Sequence, residues 1–400
     1  MLLKLLLVAV VFVQPMATAL VSAGSPGRAV CPTRRPLADL KLPTGKPSVK
    51  DIGDAMLAYL NDGGSYTGFR HVFEVDGRGS AGPVDLNGDG VEEIAITLVI
   101  WIESWGRVAW MGIYECADGK YVEHLYSVNP GYISDVRIIR IVDLMGLGFP
   151  QVWFEYTEQI SACKVGVAPL SWNGSEFEFQ LTNATVFCGG SATVTDYDGD
   201  GVKEVLLRGS NQGNLEYGIG RGIVRVFHWQ GDDMTLESET LLPSPYRIHV
   251  LQDAQIALDG SDTRAAIRKY ELAATSRWLK NRPSIYETMN GTDFAQQYQT
   301  AFANFRLVVL WTGLQGTKEA TRVLERMENA YPSGTEGAEF TILAREFVDQ
   351  LSGGASPQEA CRAVTRDIEA RYPYLAGYGY IGNWGLANVA YENEDLCPYR

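Results

Sequence analysis

The residues best suited to chemistry are the oxygen donors of Asp85-Leu86-Asn87-Gly88-Asp89-Gly90-Val91-Glu92-Glu93, which run directly into the apolar stretch from Ile94 to Ile102. Oxygen side chains at the first, third, fifth and ninth places, with a backbone carbonyl at the seventh, can surround a hard cation. A glycine at the sixth lets them converge, because Gly90 accepts a sharp turn that a Cβ would resist. The arrangement returns as Asp196-Tyr197-Asp198-Gly199-Asp200-Gly201-Val202-Lys203-Glu204, ahead of Val205 to Leu207. Calcium is the expected occupant, one Ca2+ in each loop.

An EF-hand would place a bidentate glutamate at the twelfth position and helices on both sides. Here the twelfth position is Ile96 in one loop and Leu207 in the other, and each loop feeds a β-branched run, so the cation is expected on a turn entering a strand. The pattern Asp-x-(Asp/Asn)-x-Asp-Gly-x-x-Glu leading into a strand resembles the FG-GAP and VCBS repeats, over roughly residues 65–245. The resemblance implies a β-propeller-like blade array with calcium in these loops. By the same resemblance the ligands are Asp85, Asn87, Asp89, the Val91 carbonyl and Glu93, then Asp196, Asp198, Asp200, the Val202 carbonyl and Glu204.

Those loops need strands in a regular frame, and the chain supplies one. Asp85, Asp143 and Asp196 recur about 55 residues apart, the length of a four-stranded unit with generous turns. Turns inside the units match as well: Cys116-Ala117-Asp118-Gly119, Trp172-Asn173-Gly174 and Trp229-Gln230-Gly231. The last two precede short strands with alternating apolar residues, Phe177 and Phe179, then Met234 and Leu236. In the middle unit Met145 and Leu147 stand where ligands belong and only Asp143 and Gln151 remain, so that loop is expected to be a structural turn without metal. Three units fall short of the roughly 4–8 blades of a closed propeller. The expectation is an open array of about three to four blades capped by helices; a fourth blade assembled from distant segments, or closure with another chain, are the alternatives.

Around the repeats the chain divides as follows. A basic start, an apolar stretch too short to span a bilayer and an A-x-A site mark residues 1–23 as a signal peptide, so the mature chain is expected to be exported, with no transmembrane anchor. A Pro-rich linker covers 24–47, and a short helix over Val49–Leu60 opens the β domain at 48–245. Residues 246–373 carry three helix pairs broken at glycine, with Tyr331-Pro332 and Tyr372-Pro373 about 41 residues apart; they resemble degenerate tetratricopeptide repeats. A tail follows at 374–400. Six cysteines, an even number with no C-x-x-C, favour disulfides. Of the many connectivities, the expected one joins Cys163 to Cys188, Cys361 to Cys397 and Cys31 to Cys116.

The net charge of −14, with no basic stripe, argues against nucleic acid as a partner. No nucleophile elbow, P-loop, dinucleotide fingerprint or H-E-x-x-H is present, and His71, His124, His228 and His249 are dispersed without metal-ligand spacing. The fold expected is β then α, and the function expected is that of an exported, calcium-binding, non-enzymatic protein. Its helical repeats would take a protein or peptide partner on their concave face. The rival is a glycan-binding or glycan-active protein using Trp101, Trp105, Trp110, Trp153, Trp172 and Trp229 on the β domain.

Overall fold

The computed structural model describes residues 31, 40–43, 48–75, 79–102, 106–127, 133–159, 163–211, 220–281, 292–372 and 396–399. Residues 1–30, where a signal peptide is expected, most of the Pro-rich linker and most of the tail lie outside the described residues. Two helices come first, then the strands, and the remaining helices follow.

The strands make two antiparallel sheets, neither closed on itself. In the first, β1 (Gly79–Val84), β2 (Glu93–Ile102), β3 (Gly106–Ala117) and β4 (Lys120–Ser127) lie in chain order. The second begins with β5 (Ile133–Val142), β6 (Gln151–Gln159), β7 (Cys163–Trp172) and the three-residue β8 (Phe177–Phe179). It continues with β9 (Thr185–Thr195), β10 (Glu204–Ser210), β11 (Gly222–Gln230) and β12 (Asp233–Leu241). The chain therefore traces an up-and-down unit of four consecutive strands three times over. An array of separate blades would give each unit its own sheet, but the second and third share one. Their joint forms because β8 pairs only with the Leu170–Trp172 end of β7. The other end stays open, and Lys164 to Gly166 take β9 at Phe187 to Thr185.

Packing joins the units through their first strands. β1 lies against β5, and β5 against β9, and the Ile138 backbone N–H donates to Ser80 Oγ at 3.0 Å. Val84, Leu86, Ala95, Met111 and Ile113 of the first unit share a core with Val136, Val152, Phe154 and Leu170 of the second. Trp153, Val165 and Val186 form another with Val205, Leu207, Phe227 and Met234 of the third. The inward alternation expected for Met234 and Leu236 fails at Leu236, which is exposed. Leu236 lies on the edge strand, next to a register shift that follows it between Phe227 and Val226.

Two helices cover the outer face of the first sheet. In α1 (Val49–Asn61) Ser48 and Asp51 form a reciprocal capping box at the N-terminus, and Ile52, Met56 and Leu60 are buried against Ile94, Ile96 and Leu98. The sequence places strand from Phe69 onward, whereas Tyr66–Val75 is a second helix, α2. Its aromatic and β-branched composition suits a strand, but Phe69 is drawn into the core against Tyr59 and Tyr114, with ring centroids 5.4 and 5.9 Å away. Tertiary burial overrides local preference here. The approach of α2 to α1 depends on Gly68, where a Cβ would stand 1.9 Å from the Tyr59 hydroxyl. Gly64 is equally required beside the same ring, which would stand 2.3 Å from a Cβ there. Gly68→Ala is expected to lower stability by about 1–3 kcal/mol, read from urea unfolding.

The helical part consists of α3 (Arg247–Asp259), α4 (Thr263–Thr275), α5 (Thr292–Gly313), α6 (Thr317–Ala330), α7 (Ala338–Ser352), α8 (Pro357–Thr365) and the short α9 (Ile368–Arg371). α3 packs on α4, α5 on α6 and α7 on α8, with α5 central to them. From Tyr298 to Leu310 every residue of α5 is buried. The sequence places its start at Phe302 and so misses Tyr298 to Ala301, which are all buried and show no amphipathic period, together with the turns before them. Arg306 sits inside, its guanidinium 5.4 Å from the Tyr270 ring and 5.7 Å from Phe302, donating to the Tyr270 hydroxyl and to Gln255. Buried Arg221, beside β11, pairs with Asp253 of α3 and donates to the Leu242 carbonyl, which links sheet to helices.

Cys31–Cys116 and Cys361–Cys397 are disulfides, as expected, with Cα atoms 5.7 and 5.4 Å apart. Cys163 is disulfide-bonded too; the Cys188 side chain proposed as its partner lies outside the described residues.

Candidate metal centre

The three aspartate-headed loops join the first and second strands of the three units, so they occupy equivalent corners of the structure. In the first, the Asp85 carboxylate accepts the Gly88 and Gly90 N–H groups at 2.8 and 2.9 Å. Asn87 accepts Asp89 N–H at 3.0 Å, Asp89 accepts Val91 N–H at 2.7 Å, and Glu93 reaches back to accept Leu86 N–H at 2.7 Å. In the third, Asp196 accepts Gly199 and Gly201 N–H at 2.7 and 3.1 Å, and Asp198 accepts Asp200 N–H at 3.1 Å. Asp200 accepts Val202 N–H at 2.7 Å and Glu204 accepts Tyr197 N–H at 2.7 Å. The two loops match bond for bond. Both turns need the left-handed backbone that glycine supplies at the sixth place, with φ of 83° at Gly90 and 92° at Gly201.

Asp85 and Asp196 accept through both carboxylate oxygens, whereas Asp89, Glu93, Asp198, Asp200 and Glu204 accept these backbone bonds through one. Oxygens of Asp196, Asp198 and Glu204 lie within 4.8 Å of one another, and Glu204 is only 4% exposed. Three anionic groups at that spacing repel, and a buried one lacks water to screen it, so the set suits a divalent cation. All the donors are hard oxygens, the ligand class of calcium rather than zinc or copper. In the first loop the third place is Asn87, whose amide oxygen carries no charge. By position, the corresponding trio holds two carboxylates and a neutral oxygen. Asp85, Asn87, Asp89, Val91 and Glu93 lie on one turn and Asp196, Asp198, Asp200, Val202 and Glu204 on another, but among the described residues only the carboxylates of Asp196, Asp198 and Glu204 converge; Asp200 stands outside that cluster, and Asp85, Asp89 and Glu93 do not form one.

Glu93 is 1% exposed. Burial, and then the neighbouring Asp89 and Asp85 carboxylates, push its carboxyl up to about 7 from 4.5, with the Leu86 N–H bond opposing them. A carboxyl whose folded value is raised stabilises the fold in its protonated form, and that contribution is lost as pH rises from 4.5 through about 7. In chelator, the chain is therefore expected to be less stable at about pH 8 than at about pH 6 by roughly 1–2 kcal/mol, measured by chemical unfolding. Saturating calcium should flatten this slope, because the cation replaces the proton.

The middle loop has the same backbone with different chemistry. Asp143 accepts the Leu147 and Gly148 N–H groups at 3.0 and 2.8 Å, and Gln151, fully buried, accepts Leu144 and Met145 N–H at 2.9 and 3.1 Å. Its amide Nε2 donates to Asp143 Oδ1 at 3.1 Å and to the Phe149 carbonyl at 2.7 Å. The sequence shows a glutamine in the glutamate place but not this bridge, which becomes visible only once the loop closes.

Of the tryptophans considered for sugar stacking, Trp110 and Trp153 are buried. Trp172 packs on Phe177 at 4.8 Å and Trp229 on Trp153 at 5.9 Å. The side chains of Trp101 and Trp105 lie outside the described residues. Among the described residues, no helix is long and apolar enough to cross a membrane. Neither a family model nor a curated protein matches the chain.

Proposed function

We propose that this chain is an exported, calcium-stabilised, non-enzymatic binding protein. Its β part is a blade array of the FG-GAP/VCBS kind, and its helical part a tetratricopeptide-like scaffold for a protein or peptide partner. The observation that carries the reading is the convergence of Asp196, Asp198 and buried Glu204 in a loop whose hydrogen-bond framework recurs around Asp85 and Glu93. Asp85, Asn87, Asp89, the Val91 carbonyl and Glu93 would hold one ion, and Asp196, Asp198, Asp200, the Val202 carbonyl and Glu204 the other. A bound ion supplies charge neutralisation there and fixes the turn from which the next strand starts.

Disulfides support an oxidising location, where calcium is abundant enough for sites with dissociation constants of about 10⁻⁴–10⁻³ M. For the helices, a docking role is supported by stacked pairs that leave Ile256, Leu272 and Ile342 exposed. The glycan reading is not carried further, since Trp110, Trp153, Trp172 and Trp229, the tryptophans of the β part whose side chains are described, are spent on packing.

Terbium luminescence tests the proposal. Tyr197, 53% exposed at the second place of the third loop, serves as the antenna for a lanthanide held beside it. Tyrosine-sensitised emission that calcium displaces and magnesium does not is the expected result. Absence of any calcium-displaceable emission would contradict it.

A further inference from the structure

We infer that the Gln151 side-chain amide is a built-in replacement for the cation in the middle repeat. This repeat then keeps the ion-bound shape of its loop at any calcium level, and the chain's response to calcium is confined to the first and third loops. The inference rests on the calcium reading of those two loops.

Aligning the three loops from their first aspartate places Asp143 at one, Phe149 at seven and Gln151 at nine. In the other loops these are ligand places, occupied by Asp85, Val91 and Glu93 and by Asp196, Val202 and Glu204. In the middle loop, the amide group of Gln151 donates one hydrogen to Asp143 Oδ1 and the other to the Phe149 carbonyl. Those two bonds bring together a carboxylate and a carbonyl that a cation would otherwise bridge. The rest of the ligand set has been dismantled in step: Met145 and Leu147 take the third and fifth places, and Leu147 is exposed. The turn is nonetheless retained, with Gly148 at φ 87° where Gly90 and Gly201 stand, and with Asp143 still gathering the N–H groups of Leu147 and Gly148. An amide has a partial positive end and no net charge, so buried Gln151 can donate to the exposed Asp143 carboxylate without bringing a charge of its own into the loop.

Its location gives the substitution a consequence. The Phe149 ring lies 3.9 Å from where a Cβ of Gly88 would be, so the ion-free loop abuts the first loop. A turn whose shape never depends on calcium thus stands beside one whose shape does.

Two variants test this in the full chain. Gln151→Glu removes the donor and sets a buried carboxylate against Asp143. It is expected to melt about 5 °C or more below the parent in chelator, and to recover most of that difference in millimolar calcium. Met145→Asp combined with Leu147→Asp and Gln151→Glu restores the ligand set and is expected to bind one calcium more than the parent by calorimetric titration. Should Gln151→Glu fail to fold in chelator, its recovery on refolding with calcium is the equivalent supporting result. The inference is overturned if Gln151→Glu matches the parent in chelator, or if calcium restores neither its stability nor an added site in the triple variant. The parent's own titration reports separately on the first and third loops, so failure there is distinguishable from failure here.

Discussion

Removing calcium from the purified chain is expected to lower its melting temperature by about 10 °C. The magnitude follows from mass action. A site with a dissociation constant of about 10⁻⁴–10⁻³ M, saturated by calcium at ten to a hundred times that level, stabilises the fold by about 1.4–2.7 kcal/mol. Two such sites add to roughly 3–5 kcal/mol, and in a unit of this size each kcal/mol moves the melting temperature by about 2–4 °C. Asp89→Asn together with Asp200→Asn should reproduce the loss and make the protein indifferent to chelator. Asparagine keeps an oxygen for the Val91 and Val202 N–H groups, which Asp89 and Asp200 now hold at 2.7 Å. The turn bonds therefore survive while one charge leaves each site. A drop that persists in excess calcium assigns the effect to the ligands rather than to the turn.

The second large effect belongs to the joint between repeats. Glu155 on β6 is 9% exposed, accepts two bonds from Arg137 on β5 at 2.9 Å each, and accepts the Ala192 N–H on β9. It binds the second unit to the third at the place where they merge into one sheet. Glu155→Ala is expected to cost about 3 kcal/mol, since it leaves the buried Ala192 N–H without its acceptor as well as breaking the ion pair. Arg137→Ala should cost under about 1 kcal/mol, because an exposed guanidinium returns to water easily. Equal losses from the two variants in urea unfolding would show that the ion pair, and not the bond to β9, holds the joint.

Much of this architecture was legible in the sequence because it is written locally. Alternating apolar residues, glycines at the sixth place of each loop and paired turn residues at Cys116 to Gly119, Trp172 to Gly174 and Trp229 to Gly231 mark the four-stranded units. All three turns fall between the last two strands of their unit. Gly260, Gly316, Gly353 and Gly354 likewise fall between the paired helices. Illegible were features decided by partners far away in the chain. From Phe69 the chain reads as strand until the pocket around Tyr59 and Tyr114 is known, and Tyr298 to Ala301 of α5 are hidden because all four are buried. The merging of two units into one sheet depends on how short β8 is, which no residue type announces. Within the candidate site, the acidic and glycine places of the turns were readable from spacing, whereas the Gln151 bridge required the closed loop.

The most direct test of the central claim is a calorimetric titration of the metal-stripped mature chain with calcium, alongside Asp89→Asn and Asp200→Asn as separate variants. Two ions bound by the parent and one by each variant is the result predicted here. A parent chain that takes up no calcium would contradict it, and so would a parent whose uptake is unchanged by either substitution.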